Sequence, residues 1–267
     1  MFLSVGPRDP FGYHPLRTTF QAVGLEDDLY IETTDGETEI SFNWPWIPEQ
    51  NTISKALALV SEIATVPPLK IEVTKRIPIE SGLGGGSSNA AGILRAVQKL
   101  TGVGSTAELH SVAAAVGTDV PFFLLGGRAQ GIGYGDHLMA LRDEPREWLL
   151  IARPEVGCPT PEMYAKLDEQ SYEWKDFPEE DILYNDFERV APCECLDLIE
   201  RVCALGAKDA GLSGSGSSVF GRFESEPLAE IACERLWEDF EGDVWVVPTL
   251  TRRESLQMSE KPSELRA

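Results

Sequence analysis

Apolar and polar positions alternate in some segments of the chain and recur at helical spacing in others. Alternation predicts a strand in LKIEVTKRIPI before residue 80, WLLIARP after residue 147 also predicts a strand, and the opening MFLSV is strand-like. Apolar positions three or four residues apart predict helices in NTISKALALVSEIA, behind a capping Asn51, and in SSNAAGILRAVQKLTG, which stops at Gly102. STAELHSVAAAVG predicts a further helix.

Turn signals predict the structure of two more segments. DLYIETTDGETEISF has an alternating run on each side of Asp35-Gly36, which is typical of a β-hairpin. VPFFLLGG is short, apolar and followed by glycines, so it predicts a short buried strand or a turn.

The character of the sequence changes near residue 145, where a glycine-rich stretch gives way to the charged RDEPREW. Strand, helix, strand, helix and strand patterns follow, which is an α+β arrangement. We therefore predict two domains, residues 1–145 and residues 146–267.

Composition limits the class of partner. The chain has 267 residues, 42% hydrophobic, with Asp+Glu 44 against Lys+Arg 23 and a formal net charge of -21. Such an excess of negative charge argues against nucleic acid or an anionic membrane as the main partner. No apolar run approaches the roughly 20 residues that span a bilayer. The five cysteines include no C-x-x-C pair, so reduced thiols in a cytoplasmic protein are expected.

The glycine-rich stretch PIESGLGGGSSNAAG, residues 78–92, lies between a predicted strand and a predicted helix with no spare residues. Unpaired amides and the dipole at a helix N-terminus favour a phosphate, and glycines let it approach the backbone. The loop lacks the G-K-[ST] ending of a Walker A loop and the G-x-G-x-x-G spacing of a dinucleotide site. It predicts a phosphate-binding loop, with a tight structural turn as the alternative and a flexible linker disfavoured.

The pattern P-x-x-x-G-L-G-G-G-S-S-N-A-A resembles the ATP loop of the GHMP small-molecule kinases. Further stretches agree with that family in its own order, and the resemblance covers nearly the whole chain. These stretches are RDPFGYHPLRTTFQAVGLEDDL, GTDVPFFLLGGRAQGIGYGDHL, PTPEMY, YNDFE and LSGSGSSVFG. The resemblance implies a two-domain α+β GHMP kinase fold. Its N-terminal half would be ribosomal protein S5 domain 2-like, its C-terminal half ferredoxin-like, and the active site would lie in the cleft between them.

The resemblance implies that ATP phosphates bind in the first glycine loop. Lys75 and Asn51 occupy positions that contact the nucleotide in the family, although an exposed strand charge and a helix cap are their ordinary interpretations. Mg²⁺ would bridge the phosphates with help from Ser88. The implied ATP-binding loop residues are Pro78, Ile79, Glu80, Ser81, Gly82, Leu83, Gly84, Gly85, Gly86, Ser87 and Ser88.

Asp119, in GTDVPFF, corresponds by resemblance to the catalytic base that takes the proton from the acceptor hydroxyl. Its carboxylate precedes a run of apolar residues, where desolvation and a nearby cation can tune it. Without the resemblance, a capping or turn aspartate is the better interpretation.

The resemblance also implies an acceptor site. Tyr13 and Tyr164 would stack on a cytosine, His14 would hydrogen-bond the edge of the base, and Thr160 would close the pocket. For each tyrosine alone, a half-buried aromatic is the ordinary interpretation. A second glycine turn would line the cleft near the acceptor, with Gly214, Ser215 and Gly216 as its candidates.

The implied activity is ATP-dependent phosphorylation of the 2-hydroxyl of a methylerythritol that carries cytidine diphosphate, in the non-mevalonate isoprenoid pathway. ATP, Mg²⁺ and the cytidine diphosphate substrate would be the partners of a monomer or weak homodimer. The alternatives are a GHMP kinase with another acceptor, such as homoserine or mevalonate, and a nucleotide-binding protein without turnover.

The chain departs from the family pattern at its start. The family has an A-K-I-N-L strand whose lysine lies beside the catalytic aspartate and whose asparagine touches the acceptor. Met1 falls about where that strand finishes, so no residue matches either one. We expect the recorded start to be internal to a longer protein, because every later motif is intact. The alternative is a weakened or inactive relative.

Overall fold

The computed structural model describes residues 1–45, 47–102 and 104–259. The strands are β1 (Phe2–Val5), β2 (Leu16–Gln21), β3 (Asp28–Thr33), β4 (Glu39–Phe42), β5 (Leu69–Thr74), β6 (Arg128–Ile132), β7 (His137–Ala140), β8 (Trp148–Pro154), β9 (Tyr184–Asn185), β10 (Asp209–Leu212), β11 (Val219–Phe223) and β12 (Gly242–Pro248). The helices are α1 (Thr52–Ser61), α2 (Gly85–Thr101), α3 (Thr106–Val116), α4 (Val120–Leu125), α5 (Thr160–Asp168), α6 (Cys193–Ala204), α7 (Glu226–Trp237) and α8 (Arg252–Ser255), with a 3-10 helix at Asp186–Arg189.

The first sheet has the strand order β7-β6-β2-β1-β9. Strands β1 and β2 are antiparallel, from Phe2 opposite Thr19 to Val5 opposite Leu16. The short strand β9 comes from the second half of the sequence and lies parallel to β1. The second half therefore contributes an edge strand to the sheet of the first half, and the domain boundary at residue 145 stays a prediction.

The hairpin expected around Asp35-Gly36 is wrong. Strands β3 and β4 both form, but β5 lies between them in the order β3-β5-β4, antiparallel to β3 and parallel to β4. Leu69, Ile71 and Val73 of β5 are all buried, whereas β3 and β4 are half-buried or exposed. The strand with a regularly alternating buried face takes the central position, and tertiary packing outweighs the local turn signal.

Helices α1 to α4 pack together, and the buried apolar residues of α1, α2 and α3 form one core with β5. Helix α1 begins after Asn51 as expected, and α2 ends at Gly102, which has a positive φ of 66°. Helix α2 begins at Gly85, two residues earlier than its apolar pattern indicates.

The segment VPFFLLGG forms a helix, so the expectation of a strand or turn is wrong. Asp119 is the N-cap of α4 and Gly126 its C-cap, with Pro121 in the first turn. Proline is favoured there because the first helical amides need no intrahelical acceptor. A proline in the first turn and a glycine after the last are the signals that favour the helix.

The second half forms an antiparallel sheet in the order β10-β11-β8-β12. In chain order its strands are first β8, second β10, third β11 and fourth β12. The spatial order second, third, first, fourth is that of a ferredoxin-like sheet, which confirms the predicted α+β class. Helices α6 and α7 pack on this sheet. Among the described residues, no helix is long and apolar enough to cross a membrane.

Leu94 and Leu100 of α2 provide a matched test of the first core. Leu94 is fully buried, whereas Leu100 is 48% exposed. Leu94→Ala is expected to lower the free energy of unfolding by about 2–5 kcal/mol, because it leaves a cavity. Leu100→Ala is expected to change it by less than about 0.5 kcal/mol. Urea denaturation checks both, and equal losses would contradict the placement of α2.

Candidate active site

A cavity of about 1180 Å³ lies between the two halves. Most of the residues predicted for the site line it. They are Asn51, Lys75, Pro78, Ile79, Glu80, Ser81, Gly82, Leu83, Gly84, Gly85, Gly86, Ser87, Ser88, Asp119, Thr160, Tyr164, Gly214 and Ser215. The predicted residues outside this lining are Tyr13, His14 and Gly216.

The first glycine loop ends at the N-terminus of α2. Gly84 is the N-cap residue with a φ of 69°, and no side chain caps the helix. By contrast, α1 and α3 both have capping boxes. The uncapped first-turn amides of α2 and the positive end of its dipole therefore face the cavity, which suits an anion. Ser88 Oγ donates to Gly85 O at 2.9 Å and keeps its lone pairs free.

The first glycine loop, residues 78–88, touches the second glycine loop, residues 213–218, which connects β10 to β11. Ser213 Oγ donates to Gly82 O at 2.9 Å, and Ser218 N donates to Ser81 O at 3.1 Å. A Cβ on Gly82 would lie 2.0 Å from Ser213 O, so only glycine fits at this contact. Contact between the loops brings the predicted phosphate side and the predicted acceptor side together.

The side chain of Lys75 lies next to Gly85, the first residue of α2. Its side chain is only 4% exposed, and its ammonium pairs with the fully buried carboxylate of Asp27. Asp27 also accepts hydrogen bonds from Asn89 Nδ2 and from the backbone amides of Arg76 and Ile77. Lys75 therefore supports the base of the loop, and direct contact with a nucleotide stays a prediction.

Asn51 caps α1 through its side-chain oxygen. Its Oδ1 accepts from the amides of Ile53 and Ser54, and its Nδ2 donates to the carbonyls of Pro48 and Glu49 in the loop before the helix. Helix capping accounts for the bonds of Oδ1, and the bonds of Nδ2 hold the preceding loop. Its contact with a nucleotide stays a prediction.

Asp119 presents a free carboxylate to the cavity. Its side chain makes no cap hydrogen bond to α4, and no other described residue donates to it. The Asp119 carboxylate is open to solvent on the side of the cavity, and protein atoms surround its other sides. This loss of hydration raises the pKa of Asp119 above its ordinary value. A carboxylate with a raised pKa and no structural partner is suited to accept a proton.

Four of the predicted acceptor residues are in contact as two pairs, which α5 links. Thr160 Oγ1 and Ser215 Oγ lie 2.9 Å apart, so the start of α5 touches the second glycine loop. Burial and the charge of Asp119 raise the pKa of Tyr164. His14 stacks on Tyr164 at 5.0 Å between ring centroids.

His14 and Tyr13 are placed differently from each other. His14 is buried, with Nδ1 2.9 Å from Gly6 O and Nε2 3.3 Å from Asp168 Oδ1. Tyr13 is 64% exposed and packs on Tyr134 instead of Tyr164. The structure brings His14 and Tyr164 together and leaves Tyr13 apart from them.

The chemistry of the cavity lining suits phosphate and a hard cation. Among the described residues, its lining contains no histidine or cysteine, and apart from the thioethers of Met1 and Met258 its metal-binding side chains offer oxygens, as in Asp119 and Ser88. In the same part of the chain, no three His, Cys, Asp or Glu side chains are grouped to hold a metal alone. Mg²⁺ usually binds through few protein oxygens together with substrate phosphates, so the residues present fit Mg²⁺.

Comparison with known proteins first defines the class. Residues 51–127 match the family described as GHMP kinases N terminal domain. The homoserine kinase of Cytophaga hutchinsonii shares the fold, with a TM-score of 0.66 at 19% identity over 85% of this chain and 88% of that chain. The chain therefore contains a GHMP kinase N-terminal domain, and its overall fold is shared with a known small-molecule kinase.

More similar relatives define the group within that class. The 4-diphosphocytidyl-2-C-methyl-D-erythritol kinase of Desulfitobacterium hafniense (strain Y51) is 32% identical over 94% of this chain and 92% of the relative. A crystal structure of 4-(cytidine 5'-diphospho)-2C-methyl-D-erythritol kinase has a TM-score of 0.81 and 33% identity, over 93% of this chain and 95% of that chain. The chain belongs to the 4-diphosphocytidyl-2-C-methyl-D-erythritol kinase family.

Sequence reasoning missed two polar residues that organise the cavity wall. Asp27 holds Lys75 from 48 residues away, and Asn185 holds the second glycine loop. Asp27 stands in LEDDL and Asn185 in YNDFE, two stretches that carry the family resemblance. No local pattern identifies their partners.

Gly82 and Gly102 separate the effect of loop contact from that of backbone strain. Both have a positive φ, of 73° and 66°, but a Cβ on Gly102 would meet no atom within 4 Å. Gly82→Ala is expected to push the two loops apart and to lower kcat about 100-fold or more, because transfer depends on close positioning. Gly102→Ala is expected to cost only about 1–2 kcal/mol of stability. Steady-state kinetics and thermal unfolding check both, and similar kinetics for the two variants would contradict the loop contact.

Proposed function

We propose that this protein transfers the γ-phosphoryl group of ATP to the 2-hydroxyl of 4-diphosphocytidyl-2-C-methyl-D-erythritol, a step of the non-mevalonate isoprenoid pathway. One observation carries the proposal. The uncapped N-terminus of α2 and the unpartnered carboxylate of Asp119 face the same cavity. The relatives named for this substrate support the choice of acceptor.

The chain's own residues supply positioning and a base. The loop Pro78–Ser88 and the first turn of α2 hold the ATP phosphates through backbone amides. Asp119 accepts the proton of the acceptor hydroxyl, while the oxygen of that hydroxyl bonds to the γ-phosphorus of ATP. The bond from that phosphorus to the bridging oxygen of ADP breaks, so ADP leaves with the electron pair.

Mg²⁺ would be held by the ATP phosphates with the Ser88 hydroxyl, and it would neutralise charge on the phosphates. The buried pair of Lys75 and Asp27 carries no net charge. It holds the base of the loop in place and adds no net charge to the phosphate site.

The cytidine end of the acceptor would lie near the aromatic residues. Tyr164 and His14 form one stacked pair, and the exposed ring of Tyr13 is available for a base. Stacking of a base on an aromatic ring stabilises binding by roughly 1–3 kcal/mol. Thr160 and the loop Gly214–Gly216 would face the methylerythritol end, closer to Asp119.

In this proposal, the protein acts in the cytoplasm as a monomer or weak homodimer, and its only partners are small molecules. Its formal net charge of -21 supports the exclusion of nucleic acid and anionic membranes as partners.

A coupled assay of ADP release tests the function. ATP and Mg²⁺ are supplied with 4-diphosphocytidyl-2-C-methyl-D-erythritol, homoserine or mevalonate in parallel. We expect turnover with the cytidine substrate and none above background with the other two, which carry no base to stack. Preferential turnover of homoserine or mevalonate would refute the proposed acceptor, and absence of turnover with all three would refute the kinase function.

Asp119→Asn tests the base. This variant is expected to lose on the order of 10²–10⁴-fold in kcat while its affinity for ATP is kept, because a positioned base contributes about that factor. Asp239→Asn is the control, since Asp239 is a surface residue paired with Arg201. Stopped-flow kinetics and nucleotide titration measure the two effects, and near-normal turnover by Asp119→Asn would remove Asp119 from the mechanism.

The raised pKa of Asp119 predicts two pH effects. Activity needs the ionised carboxylate, so kcat/KM should fall as pH drops through a pKa above the ordinary 3.8. The ionised form is less favourable in the folded chain than in the unfolded chain, so Asp119 destabilises the fold above that pKa. Asp119→Asn should therefore raise Tm at neutral pH and not at low pH. An unchanged Tm difference across pH would contradict this assignment.

A further inference from the structure

The segment Tyr184–Glu188, YNDFE in the sequence, lies beside the second glycine loop and has no role in the mechanism above. Its first two residues form β9, which pairs with β1. Asp186, in the middle, is fully buried and accepts hydrogen bonds from Ser4 Oγ and Val5 N of β1. The segment is thus fastened to the first sheet, which makes it a rigid support.

Asn185 extends from this support to the loop. Its Nδ2 donates to Leu212 O at 2.9 Å and to Gly214 O at 2.8 Å, while its Oδ1 accepts from Phe187 N at 2.9 Å. The side chain is buried, and the two carbonyls flank Ser213 in the chain. One amide group therefore fixes the backbone on both sides of Ser213.

Glu188 holds the same part of the loop from the end of the segment. Its Oε1 accepts from Leu212 N at 2.9 Å. Both backbone polar groups of Leu212 are thus bonded to side chains of one short segment. The polypeptide leaves this anchored residue and enters the loop directly.

The second glycine loop is hydrogen-bonded both to the proposed phosphate side of the cavity and to the proposed acceptor side. Ser213 Oγ donates to Gly82 O in the first glycine loop, and Ser215 Oγ contacts Thr160 Oγ1. A shift at Leu212 or Gly214 would therefore move contacts on the phosphate side and on the acceptor side together.

We propose that Asn185 is a positioning residue for phosphoryl transfer, because its amide sets the place of the second glycine loop relative to the first. Asn185 acts through Ser213 and Ser215. This inference rests on the proposed function, although its structural part can be measured without turnover.

Two variants of Asn185 test the proposal. Asn185→Asp keeps the acceptor for Phe187 N but turns an oxygen toward two carbonyl oxygens. Asn185→Ala removes both donors without adding charge. Each is expected to lower kcat about 10–100-fold, because a small displacement of reacting groups costs about that factor. The KM for ATP should change by less than about threefold, because α2 and its own bonds still hold the phosphates.

A double-variant comparison with Ser213→Ala distinguishes positioning from loss of stability. If Asn185 acts through Ser213, the kcat loss of the double variant is smaller than the product of the single losses. Leu109→Ala is the stability control, because Leu109 is buried in α3, none of whose residues belongs to either loop or lines the cavity. It should lower Tm and leave kcat unchanged below the melting temperature.

Amide hydrogen exchange gives a readout that needs no substrate. Residues 211–218 should exchange faster in both Asn185 variants than in the wild type, and should not do so in Leu109→Ala. Unchanged exchange in this segment, independent kcat losses that multiply, or kcat near the wild-type value would each overturn the positioning role. If the wild type itself does not turn over, the proposed function fails, and the exchange measurement alone still decides the role of Asn185.

Discussion

Backbone contact between the two glycine loops is the constraint on which the cleft depends. Gly82 and Ser213 approach so closely that a single Cβ on Gly82 would collide with a carbonyl oxygen. The first loop is fastened through α2, and the second through the support around Asn185, which is itself paired with β1 of the first sheet. The contact therefore couples the position of one half to that of the other, and under the proposed function it sets the distance between the ATP phosphates and the acceptor.

The electrostatics of the cleft explain how so acidic a protein can hold ATP. The buried cation of Lys75 is neutralised by Asp27, so the field at the loop comes mainly from uncapped amides and the dipole of α2. Asp119 stands nearby without a partner, and desolvation disfavours its charge. A charge left uncompensated costs stability, and such costs are typical of catalytic positions, where function needs a reactive group.

Several elements and part of the site could be predicted from local patterns. Helices α1 and α2 carry long apolar stripes with a cap or a glycine stop, and the buried face of β5 alternates regularly. The position of β5 between β3 and β4 could not be predicted, because β5 comes about 30 residues after β4 and pairs with the edges through which β3 and β4 would form a hairpin. The helix α4 is too short for periodicity to distinguish it from a strand.

The sequence by itself determined the class of fold and predicted a phosphate loop and a candidate base, because each depends on neighbours within a few residues or on a motif that resembles a family. Only the tertiary structure decided that Lys75 is paired with Asp27, 48 residues away, and that Ser213 binds Gly82, 131 residues away. It also decided that Tyr13 lies apart from Tyr164. The physical reason is that burial and close backbone approach arise only when the two halves pack against each other. A local sequence pattern does not show which distant groups this packing brings together.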